Sequence, residues 1–282
     1  FLLPLYNDWE SLKMVINKIN EQLKILNEKG EIIVVNDFSK EQYKKFEKLE
    51  NIELIKILNL NENVGSQKAI AIGLNYINKN YNSSQVVTVL DSDGEDDISQ
   101  LPKMIDNAIQ NPDHVVVSCR TKRKEKMIFK VLYFLHKIIT FLATFNWISF
   151  GNYSSFVSKN ITSILKNDKS WLAFSSCLAF NCNLKRLYAP RKNRLVGKSK
   201  LSLRGLVNHA LRVNAVFLRR VSLVFLLYIS SFYMLNKNFV LSEYLIIFLL
   251  VLFYFVIFFT YQNNHQKKFK DALNYIETVE KF

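Results

Sequence analysis

Apolar positions along roughly the first 120 residues follow two alternating rhythms. Short continuous runs rich in β-branched residues occur at Phe1–Leu5, Ile32–Val35, Ile52–Ile57, Val86–Leu90 and Val115–Val117. Between them the apolar spacing turns helical. Leu12, Val15, Ile16, Ile19 and Leu23 share one helix face, and further helical stretches cover Gln67–Ile77 and Leu101–Ile109. Strand-helix alternation of this kind predicts an α/β fold with a mostly parallel sheet covered by helices on both faces. Ligands of such sheets bind beyond the carboxyl ends of the strands, so the residues just after each run carry the functional interest.

The second half of the chain has a different character. Met127–Ile148 is strongly apolar but carries Lys130, His136 and Lys137. That mixture predicts an amphipathic helix lying in a membrane interface. Tyr244–Tyr261 (YLIIFLLVLFYFVIFFTY) has no charge and is long enough for a hydrocarbon core of ~30 Å. Val221–Leu235 is shorter, and Ala215–Leu218 extends it if Arg219 and Arg220 snorkel. The two segments predict a C-terminal transmembrane helical hairpin joined by Asn236–Glu243. The expected division is an α/β domain over 1–215, two spans within 216–262 and a tail over 263–282.

Charge sharpens this picture. The net charge is +14, and no acidic residue lies between Asp168 and Glu243. The same stretch holds Lys185, Arg186, Arg191, Lys192, Arg194, Lys198, Lys200, Arg204, Arg212, Arg219 and Arg220. Such a block suits a phosphate-bearing partner: nucleic acid, anionic lipid or a phosphorylated substrate. Basic residues flank both outer ends of the hairpin, with Lys267, Lys268 and Lys270 after the second span, whereas the connecting loop has Lys237 balanced by Glu243. The positive-inside rule then places the α/β domain and the tail on the cytoplasmic face of an integral membrane protein. Beside a membrane the basic block meets lipid headgroups, and nucleic acid is set aside as a partner. Cys119, Cys177 and Cys182 are too few and too scattered for a disulfide framework or a zinc site and read as thiols of a reducing compartment. The chain opens inside an apolar run at Phe1, without a basic and apolar leader, so residues are expected to precede it and the N-terminal part is expected in the cytosol.

Three loops after the runs carry chemistry. Pro4-Leu5-Tyr6-Asn7-Asp8 follows the first, Asn36-Asp37-Phe38-Ser39 the second, and Asp91-Ser92-Asp93-Gly94-Glu95-Asp96-Asp97 the fourth. Acids crowded at a strand end call for a cation. Asp91 and Asp93 converge on one ion if the turn bends there, and carboxylate oxygens suit Mg²⁺ or Mn²⁺. The competing reading is a solvated turn in which Asp97 or Ser99 caps the helix starting near Leu101. Asn61–Ala69 opens another helix whose free N–H groups and dipole suit phosphate, with Lys68 adding charge. Capping alone is the alternative there. No G-x-G-x-x-G follows the first run and no Walker lysine loop is present, which excludes the usual nicotinamide, flavin and P-loop sites.

The order P-L-Y-N, V-V-N-D-F-S, N-x-N-x-G-x-x-x-A and L-D-S-D-G-E-D resembles the family 2 glycosyltransferases of the GT-A fold. The likeness is strongest to the polyprenyl-phosphate sugar transferases, the group of dolichol-phosphate mannose synthase. Arg120-Thr121-Lys122-Arg123-Lys124-Glu125 is similar to that group's R-x-x-R-x-E/D element, and Arg194-Leu195-Val196-Gly197-Lys198-Ser199-Lys200 to its R-x-x-G-x-S-K/R element. The resemblance implies a GT-A domain over 1–215 and metal-dependent, inverting transfer of a sugar from a UDP- or GDP-sugar donor to a polyprenyl phosphate. It implies that Pro4, Tyr6 and Asn7 shape the nucleotide pocket, with Lys68 and Ser92 also lining the donor site, and that Asp37 receives the base. Asp91 and Asp93 would face the donor diphosphate through Mg²⁺ or Mn²⁺, with Glu95 as a third ligand. Arg120, Arg123, Arg194, Ser199 and Lys200 would hold donor or acceptor phosphates, a task that suits the planar guanidinium fork. An anionic phosphate acceptor needs little general base, whereas a sugar hydroxyl needs a carboxylate. Asp168 is the only acid between Glu125 and the first span. One departure stands out: Gly151-Asn152-Tyr153 replaces the group's common G-D-F. That change opens a second reading, a membrane transferase that extends a lipid-linked glycan. A third is a non-catalytic nucleotide-sugar-binding membrane protein, against which the Asp91/Asp93 pair with Arg120 and Arg123 argues. A homo-oligomer is compatible with the sequence.

Overall fold

The computed structural model of the chain describes residues 1–41, 46–121, 127–197, 203–235, 241–264 and 266–282. They divide into two compact units, one of 1–125, 149–200 and 266–282, the other of 126–148 and 201–265. Unit 1 is built on the strands β1 (Leu2–Leu5), β2 (Gly30–Asn36), β3 (Ile52–Leu60), β4 (Val86–Val89), β5 (His114–Arg120), β6 (Phe150–Val157), β7 (Asn183–Ala189) and β8 (Ile276–Lys281). Among the described residues they form one sheet in the order β7-β5-β6-β4-β1-β2-β3-β8. The helices, in chain order, are α1 (Trp9–Leu26), α2 (Ser66–Asn80), α3 (Leu101–Gln110), α4 (Met127–Thr144), α5 (Ile161–Ile164), α6 (Lys169–Leu172), α7 (Phe174–Asn181), α8 (Leu203–Ala215), α9 (Leu218–Leu235), α10 (Leu241–Gln262) and α11 (Gln266–Lys270).

The centre of the sheet is parallel, with β1 between β2 and β4 and β3 beyond β2. Side chains of β1 alternate between its two faces. Leu3 and Leu5 join the cluster that holds Leu12, Val15, Ile16 and Ile19 of α1 and Met104 of α3. Leu2 and Val35 meet α2 on the opposite face, where a Cβ on Gly73 would lie only 2.3 Å from the Leu2 side chain. Each fully buried aliphatic side chain of the α1 stripe stabilises the layer by about 1.5–3 kcal/mol. Asn27 ends α1 in the left-handed conformation, its N–H bonding to the carbonyls of Leu23 and Lys24.

Three strands depart from the expected pattern. β6 lies antiparallel between β4 and β5, and β7 extends β5 in parallel. Of the segment 263–282, expected as a tail, residues 266–282 belong to unit 1. Its strand β8 pairs antiparallel with β3, Ile57 opposite Glu280 and Leu58 opposite Val279, and the backbone of Phe282 exchanges both hydrogen bonds with Ile55. The segment Ile276–Lys281 is mainly polar because it is an edge strand with charged residues facing water. The α/β unit is therefore not the continuous 1–215.

Unit 2 gathers α4, α8, α9 and α10. Among the described residues, Glu243–Gln262 of α10 is the one helix long and apolar enough by itself to cross a membrane. Helix α9 reaches that standard only together with α8, from which it is bent by 86°. The first arm of the expected hairpin is thus less distinct than the second, because Arg219 and Arg220 sit in the first turn of α9. Helix α4 exposes Phe134, Leu135, Ile139, Phe141 and Leu142.

Candidate functional site

At the carboxyl ends of β1 and β2 the loops interlock. Asn7, at φ 50°, receives at its side-chain oxygen the N–H of Lys40 (2.8 Å) and donates its own N–H to Ser39 Oγ (2.8 Å). Trp9 Nε1 donates to the carbonyl of Glu41. Pro4 is buried within β1 beside Val35, and Tyr6 is exposed. A cavity of about 210 Å³ opens here, lined by Asn7, Asp8, Trp9, Glu10, Glu41, Arg194, Val196 and Gly197. A larger one of about 540 Å³, lined by Asn61, Glu62, Lys268, Asp271, Asn274 and Tyr275, includes neither member of the Asp91/Asp93 pair. The smaller cavity is the relevant one because Arg194 ties it to Asp93. Asp37 is buried and accepts from the backbone N–H groups of Val64 (2.7 Å) and Gly65 (2.9 Å). Burial raises its carboxyl above the usual range, against the pull of these two bonds and of Lys68. In this arrangement Asp37 seats the loop that opens α2, where Lys68 also stacks 5.2 Å from the Trp171 ring centre.

The acidic turn starts directly beyond β4. Gly94 takes φ +76°, a conformation that favours glycine, and so reverses the chain. The turn brings Asp91 and Asp93 together with the buried Asp96 and Asp97. Asp91 Oδ1 accepts from Asn152 Nδ2 at 2.8 Å, and Asp91 N–H donates to Asp96 Oδ2. Asp93 Oδ1 accepts the N–H of Glu95 at 3.0 Å, and its Oδ2 accepts from Arg194 Nη1 at 3.1 Å. Burial, and then the charge of Asp91, push the Asp93 carboxyl up to about 6 and the Asp96 carboxyl up to about 7.

A cationic segment runs along this turn. Lys192 and Leu195 donate backbone N–H groups to the carbonyls of Glu95 and Asp93. Arg194 also pairs with Asp8, Arg191 with Glu95, and Lys192 with Asp97. Arg120, at the end of β5, reaches Asp96 at 3.8 Å. The guanidinium groups partly offset the burial and crowding that raise the Asp93 and Asp96 carboxyls. Asp91 and Asp93 supply carboxylate oxygens of the kind that would hold a hard divalent cation. Glu95 does not join them. It is held by Arg191, and no three acidic, His or Cys side chains converge on one ion among the described residues.

The expected residues thus fall into four groups. Asp91, Ser92, Asp93, Arg120 and Arg194 lie on or beside the acidic turn, and Pro4, Tyr6, Asn7, Asp37 and Lys68 belong to the neighbouring β1, β2 and α2 loops. Asp168 is buried at the head of α6. Arg123, Ser199 and Lys200 lie outside the described residues. Sequence reasoning missed Asp8 as the partner of Arg194, Arg191 as the partner of Glu95, and Gln67 as a neighbour of Asn152. The only signal for the last was the unusual asparagine in Gly151-Asn152-Tyr153.

A mainly parallel sheet with helices on both faces and a paired-aspartate turn beyond its central strand defines a GT-A-like α/β fold. The chain belongs to glycosyl transferase family 2, whose sequence profile matches residues 1–169. It is 29% identical over 134 residues to the undecaprenyl-phosphate 4-deoxy-4-formamido-L-arabinose transferase of Photorhabdus laumondii, covering 46% of this chain and 38% of that protein. It is 28% identical over 141 residues to an uncharacterized glycosyltransferase of Synechocystis sp., covering 46% and 43% respectively. The match therefore spans less than half the length of these relatives. In fold the chain is similar to a mycobacterial protein of known crystal structure, with a TM-score of 0.50 and 14% identity over 78% of this chain and 74% of that one.

Proposed function

We propose that this protein is a membrane-bound, metal-dependent glycosyltransferase that moves a sugar from a UDP- or GDP-sugar to a polyprenyl phosphate with inversion at the sugar carbon. The observation that carries the reading is the Asp91-Ser92-Asp93 turn with Arg120 and Arg194 in ion pairs around it. Asp91 and Asp93 would hold Mg²⁺ or Mn²⁺, which when bound stabilises charge on a departing nucleoside diphosphate. Arg120, Arg194, Lys68 and, from the sequence motifs, Arg123, Ser199 and Lys200 would orient donor and acceptor phosphates. Tyr6, Asn7 and the seat made by Asp37 would flank the nucleotide. The acceptor named for the Photorhabdus relative and the basic block support a lipid phosphate, whose anionic oxygen attacks without a general base. Asn152 is the observation that favours the second reading, extension of a lipid-linked glycan. In that reading the acceptor is a hydroxyl, and Asp168 is the acid proposed to serve as base.

Chain path supports the membrane arrangement. Strands β3 and β8 pair, yet the chain between them runs through α9 and α10. Both strands must lie on one side of a bilayer, so crossings between residues 200 and 266 must be even in number. If α10 crosses, α9 or the bent α8–α9 pair crosses too. By the same reasoning α4, flanked by the paired strands β5 and β6, does not cross once and instead fits the interface. The positive-inside rule then favours the cytoplasmic face for unit 1.

The test is donor turnover in vesicles with Mn²⁺, comparing the native protein with Asp93→Asn. The native protein should release nucleoside diphosphate only when metal is present, and the variant should lose at least about a hundredfold of that rate, the scale expected when charge stabilisation of the leaving group is removed. Equal rates in the two proteins would remove the assignment of Asp93.

A further inference from the structure

Three side-chain amide contacts run in series behind the acidic turn. Phe174 N–H donates to Gln67 Oε1 at 2.7 Å, Gln67 Nε2 donates to Asn152 Oδ1 at 3.3 Å, and Asn152 Nδ2 donates to Asp91 Oδ1 at 2.8 Å. The direction of the series follows from its first member. A backbone N–H can only donate, so the Gln67 oxygen must accept and its NH₂ must face Asn152. That leaves Asn152 with its oxygen toward Gln67 and its NH₂ toward Asp91. The Gln67 side chain is buried, which makes reversing either amide unfavourable, because reversal would leave buried polar atoms facing like partners.

We infer that Asn152, oriented by Gln67, is the positioning residue for Asp91, and that an amide rather than a carboxylate at this place tunes the turn for a cation that arrives with an anionic diphosphate. This inference rests on the function proposed above. A carboxylate at 152 accepts from Gln67 but cannot donate to Asp91, and it adds a further negative charge to a turn that already holds Asp91, Asp93 and Asp96. The preceding residue contributes through the same backbone. Arg120 lies against Gly151, where a Cβ would come within 2.5 Å of Nη2. The pair Gly151-Asn152 therefore sets both the place of the guanidinium and the direction of the first aspartate. The residue that departs from the common G-D-F pattern is matched to Gln67 and has a coherent chemistry of its own.

The experiment uses the full chain in vesicles and follows free Mn²⁺ by electron paramagnetic resonance, with and without UDP or GDP, alongside thermal unfolding. Asn152→Ala and Gln67→Ala should each weaken Mn²⁺ binding by about tenfold to a hundredfold. Because the contacts act in series, the double variant should be no weaker than Asn152→Ala. The near-isosteric Asn152→Asp should tighten Mn²⁺ binding to the nucleotide-free protein while raising the donor KM. Unchanged Mn²⁺ affinity in a folded Asn152→Ala protein overturns the inference, as does Asn152→Asp with both quantities unchanged. Absence of any Mn²⁺ binding by the native protein, with either nucleotide, overturns instead the metal-dependent function on which it rests.

Discussion

Asp93 shows how burial and crowding set the behaviour of a single side chain. Desolvation disfavours its charged form, and the neighbouring Asp91 adds to that effect while Arg194, Arg191 and Arg120 oppose it. With its carboxyl pushed up to about 6, protons compete with a divalent cation in the weakly acidic range. The sign is direct: lowering the pH through 6 protonates the metal-free site, so apparent Mn²⁺ affinity should fall below that value and level off above it. Titrations between pH 5 and 8 should show this bend, and Arg194→Ala should move it upward by removing a cation that favours the carboxylate. A flat profile would mean that Asp93 does not meet the ion. Residue identities at this turn were legible in the sequence because acids stand immediately beyond an apolar strand. The ion pairs were not, since Asp8 and Arg194 are 186 positions apart and only the assembled sheet unites their loops.

At the scale of elements, the sequence rhythm located the central strands and their helices well, because each buries a continuous stripe. β6, β7 and β8 were harder to see. β8 is mostly exposed, and the N-terminal half of β7 carries Asn183, Lys185 and Arg186, so neither edge strand needs the apolar run of a central one. The pairing of β8 with β3 has a consequence for unit 2 that can be measured. In a protein with Cys182 replaced by serine, Glu243→Cys at the head of α10 and Thr278→Cys in β8 should react with a membrane-impermeant thiol reagent from opposite sides of sealed vesicles. Labelling of both from the same side would mean that α9 and α10 do not span.

For the molecule as a whole, an α/β unit and a strongly apolar unit alternate along one chain, and the chain leaves the sheet twice and returns twice. On the function proposed above, the acidic turn and the apolar helices of one polypeptide would suit an acceptor whose phosphate sits at the headgroup level and whose tail stays in the bilayer. The general class was readable from ordered motifs and the charge asymmetry, whereas the acceptor was not, because the element that would report it contains Asn152. The most direct measurement is therefore of the product. The full-length protein in vesicles, given a short polyprenyl phosphate, Mn²⁺ and a panel of UDP- and GDP-sugars, should form a glycosylated polyprenyl phosphate with one donor, in step with nucleoside diphosphate release. Turnover with a lipid-linked glycan but none with polyprenyl phosphate, or no sugar transfer to any lipid, would contradict the account.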